Sequence, residues 1–104
     1  MRLGGDWETA GEGVRRRLLT LGERLMSVTI ELAGGAGVAE HEHPHEQVTV
    51  LLSGRVRFTI AGEDRELVAG DAVGIPGGVR HSVVAVETSR LLDVFTPLRE
   101  DLLG

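Results

Sequence analysis

Histidine is the residue type of this chain best suited to metal chemistry, and three of its four histidines lie close together, at positions 41, 43 and 45. His41 and His43 are two residues apart, so on a β-strand both imidazoles would leave the same face. His81 follows the turn sequence Pro76-Gly77-Gly78 at the start of another β-type run. Imidazole binds Zn, Ni, Cu and Fe. The spacing predicts a metal site built from His41, His43 and His81; the alternative is a solvated cluster of histidines and glutamates.

The elements that must position these histidines are short strands. In the run 26–32, apolar residues alternate with polar ones at period two, which is typical of a half-buried strand. The 15 glycines, about twice the usual share, indicate many tight turns between such runs. We therefore predict an all-β fold, an antiparallel sandwich or barrel, in one domain over residues 1–104. The predicted strands are 14–21, 26–32, 48–53, 55–60, 65–68, 72–75, 82–86 and 91–95, and the tail 96–104 has room for a short helical turn.

Composition excludes several kinds of function. The formal net charge is −5, whereas nucleic-acid-binding modules usually carry a basic face. The absence of cysteine excludes disulfides, thiolate metal sites and cysteine nucleophiles. The apolar runs are far shorter than the roughly 20 residues of a membrane span, and Met1–Gly11 lacks the apolar region of a secretory signal. We expect a cytoplasmic protein that binds neither nucleic acid nor membrane.

The frame around the histidines resembles the two motifs of the cupin family. The first motif, Gly-x5-His-x-His-x3/4-Glu-x6-Gly, is matched by Gly35, His41, His43 and Gly54, with Gln47 at the position of the Glu. The second, Gly-x5-Pro-x-Gly-x2-His-x3-Asn, is matched by Gly70, Pro76, Gly78 and His81, with Ala85 at the position of the Asn. The resemblance implies a double-stranded β-helix, or jelly-roll barrel, with one divalent transition metal (Ni, Zn, Fe, Mn or Cu) inside.

The ligand set implied by the resemblance is His41, His43, Gln47 and His81. Glu46 is a rival to Gln47 but lies one residue off the family spacing, and His45 could face the substrate or simply be a solvated loop residue. Three neutral imidazoles and a neutral amide leave a divalent ion with its full positive charge. Such a site favours an anionic substrate or Lewis-acid chemistry.

Near the end of the chain, Asp93 interrupts the apolar run 91–95. On a strand, Asp93 and Phe95 would share one face, and Leu92 and Val94 would pack outside the barrel wall, against the tail or a second subunit. A carboxylate pointing into a barrel is costly unless it has a partner, such as a metal-bound water or a substrate proton. The alternative is an edge-strand charge that prevents aggregation.

The pattern Asp93-x-Phe95-x3-Arg99, together with the histidine segment, resembles the KdgF-like cupins of pectin and alginate breakdown. That resemblance implies conversion of a 4,5-unsaturated monouronate into linear 5-keto-4-deoxyuronate. Asp93 would be the acid or base, Phe95 would shape the pocket and Arg99 would hold the substrate carboxylate, for which a guanidinium fork is well matched. A surface position in the tail is the alternative for Arg99.

Two further functional classes stay open at this point: another metal-dependent cupin enzyme, such as a dioxygenase or polyketide cyclase, and a non-catalytic cupin that binds a small molecule. In each case the expected partner is a small molecule, anionic if the site is as described. We also expect a homodimer, as the resemblance implies and because a barrel this small, with an apolar first hairpin (Leu18, Leu19, Leu21 and Met26), gains from burying an outer face.

Overall fold

The computed structural model describes residues 2–3 and 5–103, and strands make up most of this part of the chain. The alternation of apolar and polar residues dictates these strands, because it gives each one a face to bury and a face to leave in water. They are β1 (Arg2–Leu3), β2 (Glu8–Gly11), β3 (Val14–Leu21), β4 (Met26–Leu32), β5 (Gly37–His41), β6 (Glu46–Ile60), β7 (Glu63–Val68), β8 (Ala72–Ile75) and β9 (His81–Thr96). A 3₁₀ turn over Glu100–Leu102 follows.

All strand pairs in the described residues are antiparallel. The central order is β1-β3-β4-β9-β6-β7, with β2 beside β3, β5 beside β9 and β8 beside β6. The two long strands hold the two halves together: residues 46–51 of β6 pair with residues 91–96 of β9, and residues 55–60 of β6 pair with residues 81–87 of β9. The result is the expected all-β jelly-roll barrel.

The structure corrects two of the predicted strand boundaries. Segments 48–53 and 55–60 form the single strand β6, and 82–86 and 91–95 form the single strand β9, with no turn at Glu87-Thr88-Ser89. The turn predicted at Gly54 is instead a bulge within one continuous strand. Its φ is +93°, and a Cβ there would lie 2.2 Å from Oγ of Ser89. Register shifts on both sides of Gly54 let the long strands bend around the barrel without ending.

The barrel interior is filled by aliphatic side chains together with Phe58 and Phe95, as the low aromatic content requires. One cluster occupies the end formed by the middle of β6 and the start of β9, and it includes Leu32, Leu51, Val56 and Phe58. A smaller cluster of Met26, Val28 and Phe95 occupies the other end. A cavity lies where the two clusters meet, lined by members of both and by the inward polar side chains of Gln47 and Asp93.

The first hairpin packs differently from the sequence expectation. Met26 is 1% exposed, and Leu18 and Leu21 pack against it together with Leu98, Leu102 and Leu103 from the tail. The hairpin residues are therefore covered by the chain's own C-terminal segment, and of the four only Leu19 is classed as exposed. The predicted helical turn in the tail is confirmed, and its role is to close this end of the barrel.

Candidate metal centre and substrate cavity

Strand pairing brings two distant histidines together at one mouth of the barrel. His41 ends β5 and His81 begins β9, and the register places them directly opposite each other with ring centroids 4.2 Å apart. His41 and His43 were expected to lie on the same strand. His41 is on β5, but His43 lies two residues beyond its end. Its ring centroid is nevertheless 5.0 Å from that of His81. One nitrogen from each ring lies within 4.8 Å of the other two, and two of the three residues are buried.

The turn predicted at Pro76-Gly77-Gly78 holds His43 in place. Gly78, with φ of +79°, donates its N–H to the carbonyl of His43 at 2.8 Å. A Cβ on Gly77 would lie 2.3 Å from the carbonyl oxygen of Pro44. Only glycine permits this close approach of two backbones. The turn before His81 and the segment after His41 therefore lock against each other, which explains how loop residues reach a defined geometry.

Backbone carbonyls select the same tautomer in all three rings. The Nδ1 atoms of His41, His43 and His81 lie 2.8, 3.0 and 2.9 Å from the carbonyl oxygens of Ala39, His45 and Val79. A carbonyl only accepts, so each Nδ1 carries the hydrogen and each Nε2 is left with a free lone pair. Nε2 of His81 is buried and has no hydrogen-bond partner. Such backbone bonds are typical of histidines that bind a metal through the other nitrogen.

Gln47 adds an oxygen to this set. It is buried on β6, and its Oε1 lies 2.9 Å from Nε2 of His43. The amide orientation is determined by Thr49, because Nε2 of Gln47 donates to Oγ1 of Thr49 and that hydroxyl donates to Asp93. A lone pair of the amide oxygen therefore faces a lone pair of the neutral imidazole. Two ligands bound side by side to one cation, each at about 2.1 Å, would have about this separation.

Glu46, the rival to Gln47, points away from the histidines. Side chains alternate along β6, so Gln47 and Thr49 face inward while Glu46 is exposed. His45 lies outside the group of three whose nitrogens converge. Its ring is 5.5 Å from that of His43, and it lines a groove with Glu23, Arg24 and Asp101. The described geometry thus favours Gln47 over Glu46 and leaves His45 at the edge.

The remaining predicted site residues meet the histidines in one cavity of about 200 Å³. Asp93 and Phe95 project inward from β9, as the alternation predicted, and the ring of Phe95 lies 5.8 Å from that of His43. The guanidinium carbon of Arg99 lies 5.0 Å above the ring of Phe95. Its Nη2 donates to Asp101 at 2.7 Å, and only 16% of the Arg99 side chain is exposed. Arg99 is therefore a residue of the cavity and not a solvated tail residue.

Comparison with known proteins agrees with this geometry. Residues 28–95 match the family model described as Cupin_2, cupin domain. The chain is also 37% identical over 99 residues to the pectin degradation protein KdgF of Dickeya dadantii, covering 93% of this chain and 90% of that protein. The chain belongs to the Cupin_2 family, among its KdgF-like members.

Solved structures of similar cupins have the same fold. KdgF from Halomonas sp. superposes with a TM-score of 0.90 at 32% identity, covering 94% of this chain and 91% of that one. An RmlC-like cupin from Shewanella frigidimarina also has a TM-score of 0.90, at 34% identity, covering 93% and 87%. Within the described residues, no helix of this cupin is long and apolar enough to cross a membrane.

Burial controls the ionisation of the groups in the cupin cavity. Desolvation lowers the pKa of His43 and of His81, so at neutral pH both rings are uncharged and free to act as ligands. Burial raises the pKa of Asp93 to about 6, against the opposing effects of the Thr49 hydroxyl and the Arg99 charge. A carboxyl group with a pKa near neutrality can both accept and release a proton under physiological conditions.

Thr49 is part of this arrangement but was not predicted from the sequence. Its hydroxyl, fully buried, connects Gln47 to Asp93 through bonds of 2.9 and 2.6 Å. The available signal was the alternation along β6, which places Thr49 on the same face as Gln47 and Leu51. Without knowledge that β6 pairs with β9 through Thr49 and Asp93, no partner could be assigned to it.

Proposed function

We propose that this cupin converts 4,5-unsaturated monouronates into linear 5-keto-4-deoxyuronates, in a site where His41, His43, Gln47 and His81 hold one divalent transition metal. The observation that carries the proposal is the buried Asp93 carboxylate, which is hydrogen-bonded through Thr49 to Gln47 in a cavity that also contains His41, His81 and Arg99. The likeness to a pectin degradation protein over nearly the whole chain supports the same substrate class.

The reaction is an isomerisation, so protons must be moved but no atom is gained or lost. Ring opening breaks the bond between C1 and the ring oxygen, releases the proton of the C1 hydroxyl and leaves an aldehyde at C1 and an enolate at C5. Addition of that proton to C4 then converts the enolate into the C5 ketone and restores the Asp93 carboxylate. The ionised form of Asp93 accepts the first proton, and its acid form donates a proton to C4.

The other residues of the cavity bind and orient the substrate. Arg99 offers its charge to the uronate carboxylate, since its bond to Asp101 occupies only one edge of the guanidinium fork. Phe95 lies between Arg99 and His43 and presents an apolar surface to the ring. When bound, the metal supplies Lewis-acid polarisation of a substrate oxygen. Thr49 keeps the Asp93 carboxylate directed into the cavity.

The direct test is turnover of an unsaturated uronate. The metal-loaded protein is expected to accelerate loss of the ultraviolet absorbance of the conjugated alkene when unsaturated galacturonate or mannuronate is supplied. Protein treated with a chelator should show no acceleration, and adding back Ni, Zn, Fe or Mn should restore it. Failure of every metal-loaded sample to accelerate the reaction contradicts the proposal. Oxygen consumption with an aromatic diol would then favour the dioxygenase alternative.

We also propose that two copies associate through the outward face of the sheet formed by β4, β9, the first part of β6 and β8. This face, called the outer face below, carries an unusual set of side chains for a solvated surface: Val48, Val50, Leu52, Ala72, Leu92 and Val94. Val48 and Leu52 are 44% and 48% exposed. A contiguous apolar surface on a small domain is typical of an interaction site.

The two ends of the outer face carry opposite charges, so the face is complementary to the same face of a second copy of the chain. At one end, Arg15 and Arg90 both pair with Glu31, which leaves one positive charge in excess. At the other end lies the exposed acid Glu46, opposite Thr96. A two-fold axis that lies between the two faces and runs perpendicular to the strands would place the basic end of each copy over the acidic end of the other. Face-to-face packing of sheets about 10 Å apart would bury the valines and leucines between them.

Val48→Glu is expected to convert a dimer into a monomer, because a charge would be buried at the centre of the outer face. Sedimentation velocity at micromolar concentration measures the change. Val84→Glu is the matched control: Val84 is 40% exposed on the other half of β9, where it pairs with Arg57. A wild-type protein that sediments as a monomer, or equal effects of the two substitutions, would contradict the proposed interface.

A further inference from the structure

Arg16 is a charged residue on the inner face of the barrel, on strand β3. Along β3 it alternates with Arg15 and Arg17, and it shares its face with Val14, which is 4% exposed, and with Leu18, which packs into a core cluster. It also lines the cavity that contains the histidines and Asp93. The other cavity residues from β2, β3 and β4 are apolar, namely Ala10, Val14, Val28 and Ile30.

The register of the sheet places Asp93 between Arg16 and Arg99. Arg16 is opposite Ile30 on β4, Asp93 is opposite Val28, and the backbone N–H of Arg99 donates to the sulfur of Met26. From Met26 to Ile30 is four residues, or about 13 Å along an extended strand. The two arginines therefore attach at opposite ends of the cavity wall, and the carboxylate that moves protons attaches midway between them.

The environment of Arg16 defines what it can bind. Its Nε donates to Oε1 of Glu8 at 2.8 Å, and the side chain is 33% exposed. That ion pair uses one of the five N–H donors of the guanidinium and offsets its charge. Arg16 and Arg99 each have one carboxylate partner, but Arg99 is the more buried cation, with 16% of its side chain exposed against 33% for Arg16. Because a buried charge is screened less by water, the substrate carboxylate is bound more strongly at Arg99, and the remaining donors of Arg16 are left for neutral oxygen acceptors. Hydroxyl and aldehyde oxygens of a sugar acid are acceptors of this kind.

We propose that Arg16 binds the hydroxyl-bearing end of the substrate, the end remote from the carboxylate held by Arg99. This inference rests on the proposed function and adds to it a requirement on the substrate: oxygen atoms are needed at both ends of the carbon chain. Binding at both ends places the C4–C5 bond beside Asp93. Short hydroxy acids, which reach Arg99 alone, do not use Arg16.

The test separates substrate binding from chemistry. Arg16→Met is expected to raise KM for the unsaturated uronate about tenfold and to leave kcat within about threefold, because charge-assisted hydrogen bonds made equally in ground and transition states affect KM alone. Glu8→Gln, which loosens the orientation of Arg16, should cause a smaller rise. Arg17→Met is the matched control, because Arg17 is adjacent in sequence but lies on the opposite face of β3, where its Nε donates to the backbone carbonyl of Gly5 at 2.8 Å. Its KM should equal that of the wild type.

A binding measurement makes the result independent of turnover. In calorimetric titrations of the metal-loaded protein, Arg16→Met should weaken binding of saturated galacturonate about tenfold and leave binding of lactate unchanged. Unchanged KM and galacturonate affinity in both Arg16→Met and Glu8→Gln would overturn the role of Arg16 while the proposed function stands. If wild-type protein neither binds galacturonate nor turns over the unsaturated uronate, the proposed function fails and this inference fails with it.

Discussion

Asp93→Asn is expected to lower turnover of the unsaturated uronate by about 10²–10⁴-fold, the usual contribution of a positioned acid or base. The same substitution is expected to stabilise the fold above pH 6. Asn keeps the shape of the side chain and an oxygen that can accept the hydrogen bond from Thr49. It cannot accept a proton from the C1 hydroxyl or deliver one to C4. Initial rates with saturating substrate and metal measure the first effect.

The second effect follows from the pKa of Asp93, which burial raises to about 6 in the folded protein, from 3.8 for an exposed aspartate. Between these two values the unfolded chain loses its proton before the folded chain does, so the free energy of unfolding falls as pH rises. The full cost, about 3 kcal/mol, is present above pH 7 and absent below pH 4. For a domain of this size, Asp93→Asn should raise the melting temperature at pH 8 by more than about 10 °C relative to wild type.

Chelator-treated protein is the right sample for this comparison, because a bound cation would also interact with the carboxylate. The matched control is Asp64→Asn, since Asp64 accepts a hydrogen bond from Thr59 at 2.7 Å, as Asp93 does from Thr49, but on the exposed surface. Its effect should stay below about 0.5 kcal/mol at both pH values. A melting-temperature difference between wild type and Asp93→Asn that is the same at pH 4 and pH 8 would show that Asp93 does not titrate as described.

His81→Ala should abolish stoichiometric metal binding, with affinity falling more than the 10- to 100-fold typical for loss of an outer-shell partner. Nε2 of His81 is buried without a hydrogen-bond partner, so this ring has no interaction there that a metal would have to replace. Elemental analysis after dialysis and calorimetric titration with Zn²⁺ or Ni²⁺ measure the loss. Metal at 100 times Kd should stabilise the wild type by about 2.7 kcal/mol and so raise its melting temperature. This rise should be absent in His81→Ala.

His45→Ala is the control for the metal experiment, because its ring lies outside the group of converging nitrogens and only its backbone carbonyl bonds to His43. It should bind metal as tightly as the wild type. His41→Ala provides a second ligand variant at a half-buried position in case loss of the buried His81 ring impairs folding. Normal metal content in both His81→Ala and His41→Ala would rule out the three-histidine site.

Local signals in the sequence predicted most of the fold and the approximate content of the site. Alternation at period two placed Asp93 and Phe95 inward, and the spacing of His41, His43 and His81 identified the cluster. These predictions succeed because a strand offers only two faces, so one buried residue determines the orientation of its neighbours. The tail turn at Glu100–Leu102 is similarly a local property.

The features that the sequence did not predict depend on contacts between distant parts of the chain. Gly54 reads as a turn, and only its approach to Ser89 shows why a bulge forms instead. Thr49 gains its role from pairing with Asp93, 44 residues away. Arg16 could not be distinguished from its neighbours Arg15 and Arg17 until the cavity was known. The apolar hairpin suggested an outer face because nothing local showed that Leu102 and Leu103 would cover it.

The last strand gives opposite tasks to its two faces, and this restricts how the gene can change. Asp93 and Phe95 face the cavity while Leu92 and Val94 lie on the outer face, so the proposed catalysis and the proposed association both depend on the same alternation of side chains along β9. Deleting or inserting a single codon between positions 90 and 96 would exchange the faces, turning the acid toward water and leucine toward the histidines. We expect length variation here to be tolerated only in steps of two residues, or where a bulge restores the phase.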